Sequence, residues 1–305
     1  MKTVHPYRGD LFPVFGALGL EIAAKCNRHC VFCPNHDFKR PDSYMPMELI
    51  QKTTLELQAM NYHGRWSPYI YNEPLRDERL LAIIAFVHSH VPRASIMINT
   101  NADYLTEKYL DALFKAGVNQ LALNVYSARD GHKDPANVES GIRIAKARAA
   151  VLQKWLDKRR WIDQNSSLYT HCSTKAKIAK VQHKYGVQKD GTNFGGGFEL
   201  QNRSGNVEWL DTKDETYSGM CVRPFRDMMV NWKGDAILCC NDYHGEVAFG
   251  NIADNTLEEL WNKMQLHRIR AQLQDGVRKG ICEHCDYKGG AYKHNVAHVQ
   301  LMRKK

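Results

Sequence analysis

Apolar and polar positions alternate in short blocks through the first 126 residues, and the blocks change period as they go. LGLEIA (18–23) predicts a strand, and PMELIQKTTLELQAM (46–60) has the 3.6-residue spacing of a helix, with Pro46 in its first turn. SPYIY (67–71) predicts a short strand, RDERLLAIIAFVHSH (76–90) a helix, and ASIMINT (94–100) another strand. TEKYLDALFKAG (106–117) predicts a helix closed by Gly117, and QLALNVY (120–126) the next strand. Strand and helix in short alternation imply an α/β fold with a parallel sheet and right-handed crossovers. Ligands in such folds sit at the C-terminal ends of the strands. A cysteine-rich loop (25–35), YNEP (71–74) and NTNA (99–102) each follow a predicted strand, so they share that face.

Beyond residue 126 the pattern is different. Residues 138–186 read as mostly helical, and GGGFELQNRSGN (195–206) as a glycine-led last strand and turn. MMVNWKGDAILCCND (228–242) predicts a β-hairpin turning at Lys233 and Gly234. NTLEELWNKMQLHRIRAQLQDG (255–276) predicts one helix with Asn255 as its N-cap. Five segments result: 1–135, the first part of the α/β unit; 136–190, basic and mostly helical; 191–217, the last strand and a linker; 218–295, a second module; and 296–305, a basic tail.

The chain has 43% hydrophobic and 25% charged residues, as ordinary globular proteins do. Its longest central apolar run, LLAIIAFV (80–87), is too short to cross a bilayer. Residues 1–27 lack a basic stretch leading into a long apolar core, so we expect a cytoplasmic protein with no membrane partner. The net charge of +9 is local. Twelve Lys and Arg between residues 141 and 189 face only Asp157 and Asp163, which leaves +10 there and a nearly neutral remainder.

Nine cysteines in a chain of this length, clustered and odd in number, point to metal binding or catalysis and away from a disulfide framework. Cys26, Cys30 and Cys33 can wrap three thiolates around one centre. Structural zinc sites and four-iron clusters use four protein ligands, so three leave a coordination position open for a substrate or cofactor. Five more cysteines lie in the second module, and four of them would make a fully protein-ligated site. On spacing alone Cys221, Cys239, Cys282 and Cys285 suit a zinc ribbon or an iron–sulfur cluster equally.

The Cys-x3-Cys-x2-Cys loop after the first strand, with the aromatic Phe32 before its last cysteine, resembles the radical S-adenosylmethionine (SAM) superfamily. The resemblance implies a partial (β/α)6 TIM-like barrel and a [4Fe–4S] cluster on Cys26, Cys30 and Cys33. SAM chelates the open iron, and a 5′-deoxyadenosyl radical takes a hydrogen atom from the substrate. Glu73 and Pro74 match a family Gly-Gly-Glu-Pro motif that holds the SAM amino group, with Tyr71 and Asn72 in place of the glycines. By the same resemblance Phe32 neighbours the adenine, while Thr100, Asn101, Asn124 and Ser127 contact SAM from strand ends. Arg203 is a candidate for a carboxylate of SAM or substrate.

Gly234-x4-Cys239 on a hairpin is similar to the SPASM and Twitch modules of that superfamily. With five cysteines and none after Cys285, the shorter Twitch type is implied: a small α+β module with one auxiliary [4Fe–4S] cluster on Cys221, Cys239, Cys282 and Cys285. Cys240 is then left over. On a strand it would face away from Cys239, where its thiol could return a hydrogen atom to a substrate radical, as in radical SAM epimerases. The implied reaction is epimerisation, isomerisation or dehydrogenation of a sugar- or aminocyclitol-like molecule or a peptide. A reducing partner such as flavodoxin or ferredoxin would supply electrons. The basic segment, with Trp155, Trp161 and Tyr169 in it, keeps open a nucleic acid or phosphorylated substrate, or a non-catalytic metal-containing nucleic-acid-binding protein.

Overall fold

The computed structural model describes residues 15–30, 32–126, 135–168, 174–187, 194–195, 202–207 and 219–287. Five strands carry the α/β unit: β1 (Ala17–Leu20), β2 (Arg65–Ser67), β3 (Ser95–Thr100), β4 (Gln120–Tyr126) and β5 (Ile178–Val187). Helices α1 (Met47–Ala59), α2 (Leu80–His90), α3 (Glu107–Ala116) and α4 (Pro135–Asp157) connect them in turn. All five strands are parallel and pair in chain order. This is the partial TIM-like barrel expected. β6 (Phe194–Gly195) pairs antiparallel with β5, and residues 196–201 of the expected last strand lie outside the described residues.

The helices follow from local chemistry. α3 starts where the Thr106 hydroxyl accepts a hydrogen bond from the Tyr109 N–H, and it ends at Gly117, whose φ of +126° suits glycine alone. Any Cβ at Gly117 would also meet the His88 ring at 2.5 Å. Leu18, Leu20, Trp66, Ile96 and Ile98 from the strands and Leu80, Ile83 and Ile84 from α2 are fully buried in one core. Each such side chain contributes roughly 1.5–3 kcal/mol by leaving water.

The second module continues the same sheet. β7 (Asp227–Val230) pairs parallel with β1, and β8 (Asp235–Ile237) and β9 (Ala248–Asn251) add antiparallel beyond it. The β7–β8 hairpin turns at Gly234 as expected. Because β7 hydrogen-bonds to β1, the module is fixed to the strand that leads into the cysteine loop.

Five expectations need correction. The strand placed at 67–71 is Arg65–Ser67, and its successors form a loop stapled by Asn72. The basic segment is not mostly helical: after α4 it supplies β5, whose fit is decided by pairing with β4 and not by its own periodicity. The helix drawn over 255–276 is two, α6 (Leu257–Trp261) and α7 (Met264–Gln274). Thr256, not Asn255, caps α6 through a reciprocal capping box with Glu259. Finally, β8 ends at Ile237, so Cys239 and Cys240 lie in the turn beyond it and strand alternation does not govern them.

Part of the basic charge has partners within the chain. Arg159 is buried against Asp111 and Glu107 of α3, Lys158 reaches Glu107, and Arg148 donates to the carbonyls of Ala102 and Leu105. These contacts fasten α4 to α3. Tyr169 and Cys172 lie outside the described residues. No helix among the described residues is long and apolar enough to cross a membrane.

Candidate active site

A cavity of about 270 Å³ opens at the C-terminal ends of the parallel strands. Cys26, Cys30 and Cys33 border it, with Phe32, Asn72, Glu73, Thr100, Asn101 and Asn124. Arg203 and Cys240 also line it. Ser127 lies outside the described residues, and Pro74 stands behind Glu73 as the first residue of a short 3-10 turn.

Burial pushes the Cys26 thiol up to about 12 and raises Cys30 and Cys33 as well, with the three thiols acting on one another. Thiols in this setting stay protonated unless a metal takes the proton's place. Among the described residues no three His, Cys, Asp or Glu side chains converge on a single ion; these three border a cavity instead. The side-chain oxygens of Asn99 and Asn124, both in its wall, are buried without a hydrogen-bond partner among the described residues. They are acceptors that a polar ligand would satisfy.

The cysteine loop is held by residues its own motif does not reveal. The guanidinium of Arg28 forks onto the carboxylate of Asp103, with Nε 2.7 Å from Oδ2, and donates to the Tyr126 carbonyl. Asn27 donates to Asp103 at 2.7 Å and accepts from Asn101 at 2.8 Å. The loop after β1 is thereby tied to the loop after β3. Phe32 packs against Tyr126, ring centroids 5.2 Å apart.

Glu73 is buried between strand ends. Its carboxylate accepts from the Thr100 hydroxyl at 2.6 Å, the Asn101 N–H at 2.8 Å and the Leu75 N–H at 3.0 Å. Burial raises its pKa from 4.5 to about 7, and these three donors limit the rise. In the unloaded protein the folded chain thus keeps a proton that the unfolded chain has lost between those values. The stability this proton confers is complete below pH 4.5 and is lost as pH rises through about 7. The loss amounts to about 3 kcal/mol. Urea unfolding should show it as a fall in stability from pH about 5 to about 8 that Glu73→Gln lacks.

The substitution of Tyr71-Asn72 for glycines does not disturb this strand end, since neither residue has a positive φ. Tyr71 instead joins the two modules: its hydroxyl donates to the Cys240 carbonyl and its ring meets Tyr243 edge-on at 4.7 Å. Glu21, fully buried at the end of β1, accepts both nitrogens of Arg40 at 2.7 Å and the N–H groups of Tyr71 and Trp232. Nothing in the periodicity marks Glu21 or Arg40.

In the second module Cys221, Cys239, Cys282 and Cys285 act electrostatically on one another, and burial raises the first three. Cys282 and Cys285 share a turn through the Cys285 N–H and the Cys282 carbonyl. Arg278 ties the carbonyls of Gly219, Cys285 and Tyr287 together around it. Four cysteines near one another are the donor set that a cluster held wholly by protein would need, and Cys240 lines the cavity.

Two family models match the chain, one over each part. Residues 20–152 match the model of the radical SAM superfamily, and residues 221–286 match the SPASM iron–sulfur cluster-binding domain. The chain is a radical SAM enzyme with a SPASM module. Its cofactors are a [4Fe–4S] cluster, SAM, and iron–sulfur chemistry in the module. The chain is 24% identical over 276 residues to the S-adenosyl-L-methionine-dependent 2-deoxy-scyllo-inosamine dehydrogenase of Niallia circulans, covering 90% of this chain and 93% of that one. Its fold is similar to that of BtrN in complex with AdoMet and 2-DOIA, with a TM-score of 0.66, 22% identity and coverage of 90% and 93%. It is also similar to Streptococcus suis SuiB bound to S-adenosylmethionine, with a TM-score of 0.53, 13% identity and coverage of 96% and 75%.

Proposed function

We propose that this radical SAM enzyme acts on a small, polar, sugar- or aminocyclitol-like molecule and inverts one of its carbon centres, with Cys240 as the hydrogen donor. The observation that carries the reading is the position of Cys240 in the wall of the cavity bordered by Cys26, Cys30 and Cys33. Cys26, Cys30 and Cys33 would hold the cluster, and Phe32, Glu73, Thr100, Asn101 and Asn124 would hold SAM. When bound, that pair supplies a carbon radical that removes one hydrogen atom from the substrate. Arg203 and the cavity amides orient the substrate's hydroxyl or amino groups. The Cys240 S–H bond then breaks as the new substrate C–H bond forms. One electron and one proton, the electron from an external reductant, restore the thiol. A carrier such as flavodoxin or ferredoxin fits this demand. A second cavity, lined by Lys25, His29, Lys39 and Arg40 and reaching Cys26 from behind, supports approach of an acidic partner there.

A second reading is two-electron oxidation of a hydroxyl-bearing carbon. It is favoured by the dehydrogenase name of the Niallia relative and by the module, into which an electron could pass. Turnover of a panel of aminocyclitols and aminosugars in heavy water separates the two. Inversion by a thiol, whose hydrogen exchanges with solvent, yields an epimer carrying one deuterium. Oxidation yields a carbonyl product lighter by one H₂. Cys240→Ala should retain 5′-deoxyadenosine formation within a few-fold while epimer formation falls to background. Unchanged epimer formation from Cys240→Ala would sink the donor role.

A further inference from the structure

The second module holds a half-buried cation beside its thiols. Arg223 opens the short helix α5 (Arg223–Arg226), two residues after Cys221. Its guanidinium lies 3.6 Å from the centroid of the Tyr287 ring. Its charge acts on Cys240 and Cys239 and, more weakly, on Tyr287 and Cys221. Among the described residues its Nη1 is buried with no hydrogen-bond partner. A guanidinium nitrogen buried without a partner is costly, so this position favours an anion.

Asn241 supplies the second observation. It is fully buried. Its backbone N–H donates to Cys239 Sγ at 3.4 Å, and its side-chain Nδ2 donates to Cys285 Sγ at 3.4 Å. Its Oδ1 accepts from Arg203 Nη1 at 3.4 Å, which fixes the orientation of the amide. The donors of one residue thus meet two separate thiols of the four.

We propose that Arg223 and Asn241 set the reduction potential of the auxiliary cluster, Arg223 as its counter-cation and Asn241 as hydrogen-bond donor to two of its thiolates. The inference rests on Cys221, Cys239, Cys282 and Cys285 being the ligands. A reduced cluster carries one more negative charge than an oxidised one. A nearby cation and N–H···S bonds stabilise the more negative state and so raise the potential. Arg223 also provides the charge balance that allows the cluster to be buried at all.

The experiment is a redox titration followed by electron paramagnetic resonance on iron-reconstituted protein carrying Ala at positions 26, 30 and 33, so that only the auxiliary cluster is read. Arg223→Gln and Asn241→Leu should each lower the midpoint by a tenfold or larger shift in the reduction equilibrium, about 59 mV for one electron. Arg223→Lys should retain most of the parental value. Loss of iron from Arg223→Gln with an intact circular dichroism spectrum, while Arg223→Lys keeps its iron, equally supports the counter-cation. Bound iron with unmoved potentials in Arg223→Gln and Asn241→Leu overturns the inference and leaves the ligand assignment standing. A parent that takes up no iron overturns both.

Discussion

Replacing Cys26, Cys30 and Cys33 together with Ala is expected to reduce 5′-deoxyadenosine formation to background while about four of about eight irons per chain remain bound. The reason lies in where the two thiol groups sit. The first three border the cavity on the barrel side, and Cys221, Cys239, Cys282 and Cys285 form a separate group in the module. The complementary replacement of Cys221, Cys239, Cys282 and Cys285 should also leave about four irons. Iron analysis and the visible spectrum of anaerobically reconstituted protein check both. Zinc in place of iron in the first variant would end the auxiliary-cluster reading, and loss of all iron would show that the two sites load as one.

The largest effect on stability is expected from Arg40→Met. The Arg40–Glu21 pair is bidentate, and Glu21 is fully buried. Removing the guanidinium strands a carboxylate that also anchors the backbone of Tyr71 and Trp232. Breaking a buried pair from one side costs about 3–5 kcal/mol. Arg40 further lies over the rings of Tyr71 and Tyr243, at 5.7 and 5.3 Å, so the contact between barrel and module loosens with it. Chemical unfolding should move to lower denaturant, and the double variant Glu21→Leu with Arg40→Met should recover part of the loss, since no charge is then left unpaired. A change below about 1 kcal/mol in Arg40→Met would contradict the role given to this pair.

Two kinds of information are separable in this chain. Elements with strong local signals are where the pattern puts them: β4 coincides with QLALNVY, α3 starts at Thr106 and stops at Gly117, and the hairpin turns at Gly234. β5 was hidden because a strand completed by a neighbour needs no alternation of its own, and β4 supplies its hydrogen bonds. The break between α6 and α7 escaped a reading that followed apolar spacing alone, since Leu257, Leu260, Leu266 and Leu273 are buried on both sides of it. Thr256 outcompetes Asn255 as cap because Glu259 completes the box with it.

By itself the sequence determined how the radical is made. Three cysteines within eight residues must cluster wherever the loop goes, because chain connectivity alone keeps them together. Only the tertiary structure decided what stands opposite them. Cys240 and Arg203 reach the site across long separations in the chain, where β7 pairing with β1 fixes the second module against the barrel. Apolar periodicity records which face is buried. It does not record which polar groups then meet, and in this protein those meetings place Cys240 in the wall of the cavity bordered by the first three cysteines, and a cation and an amide beside the second set.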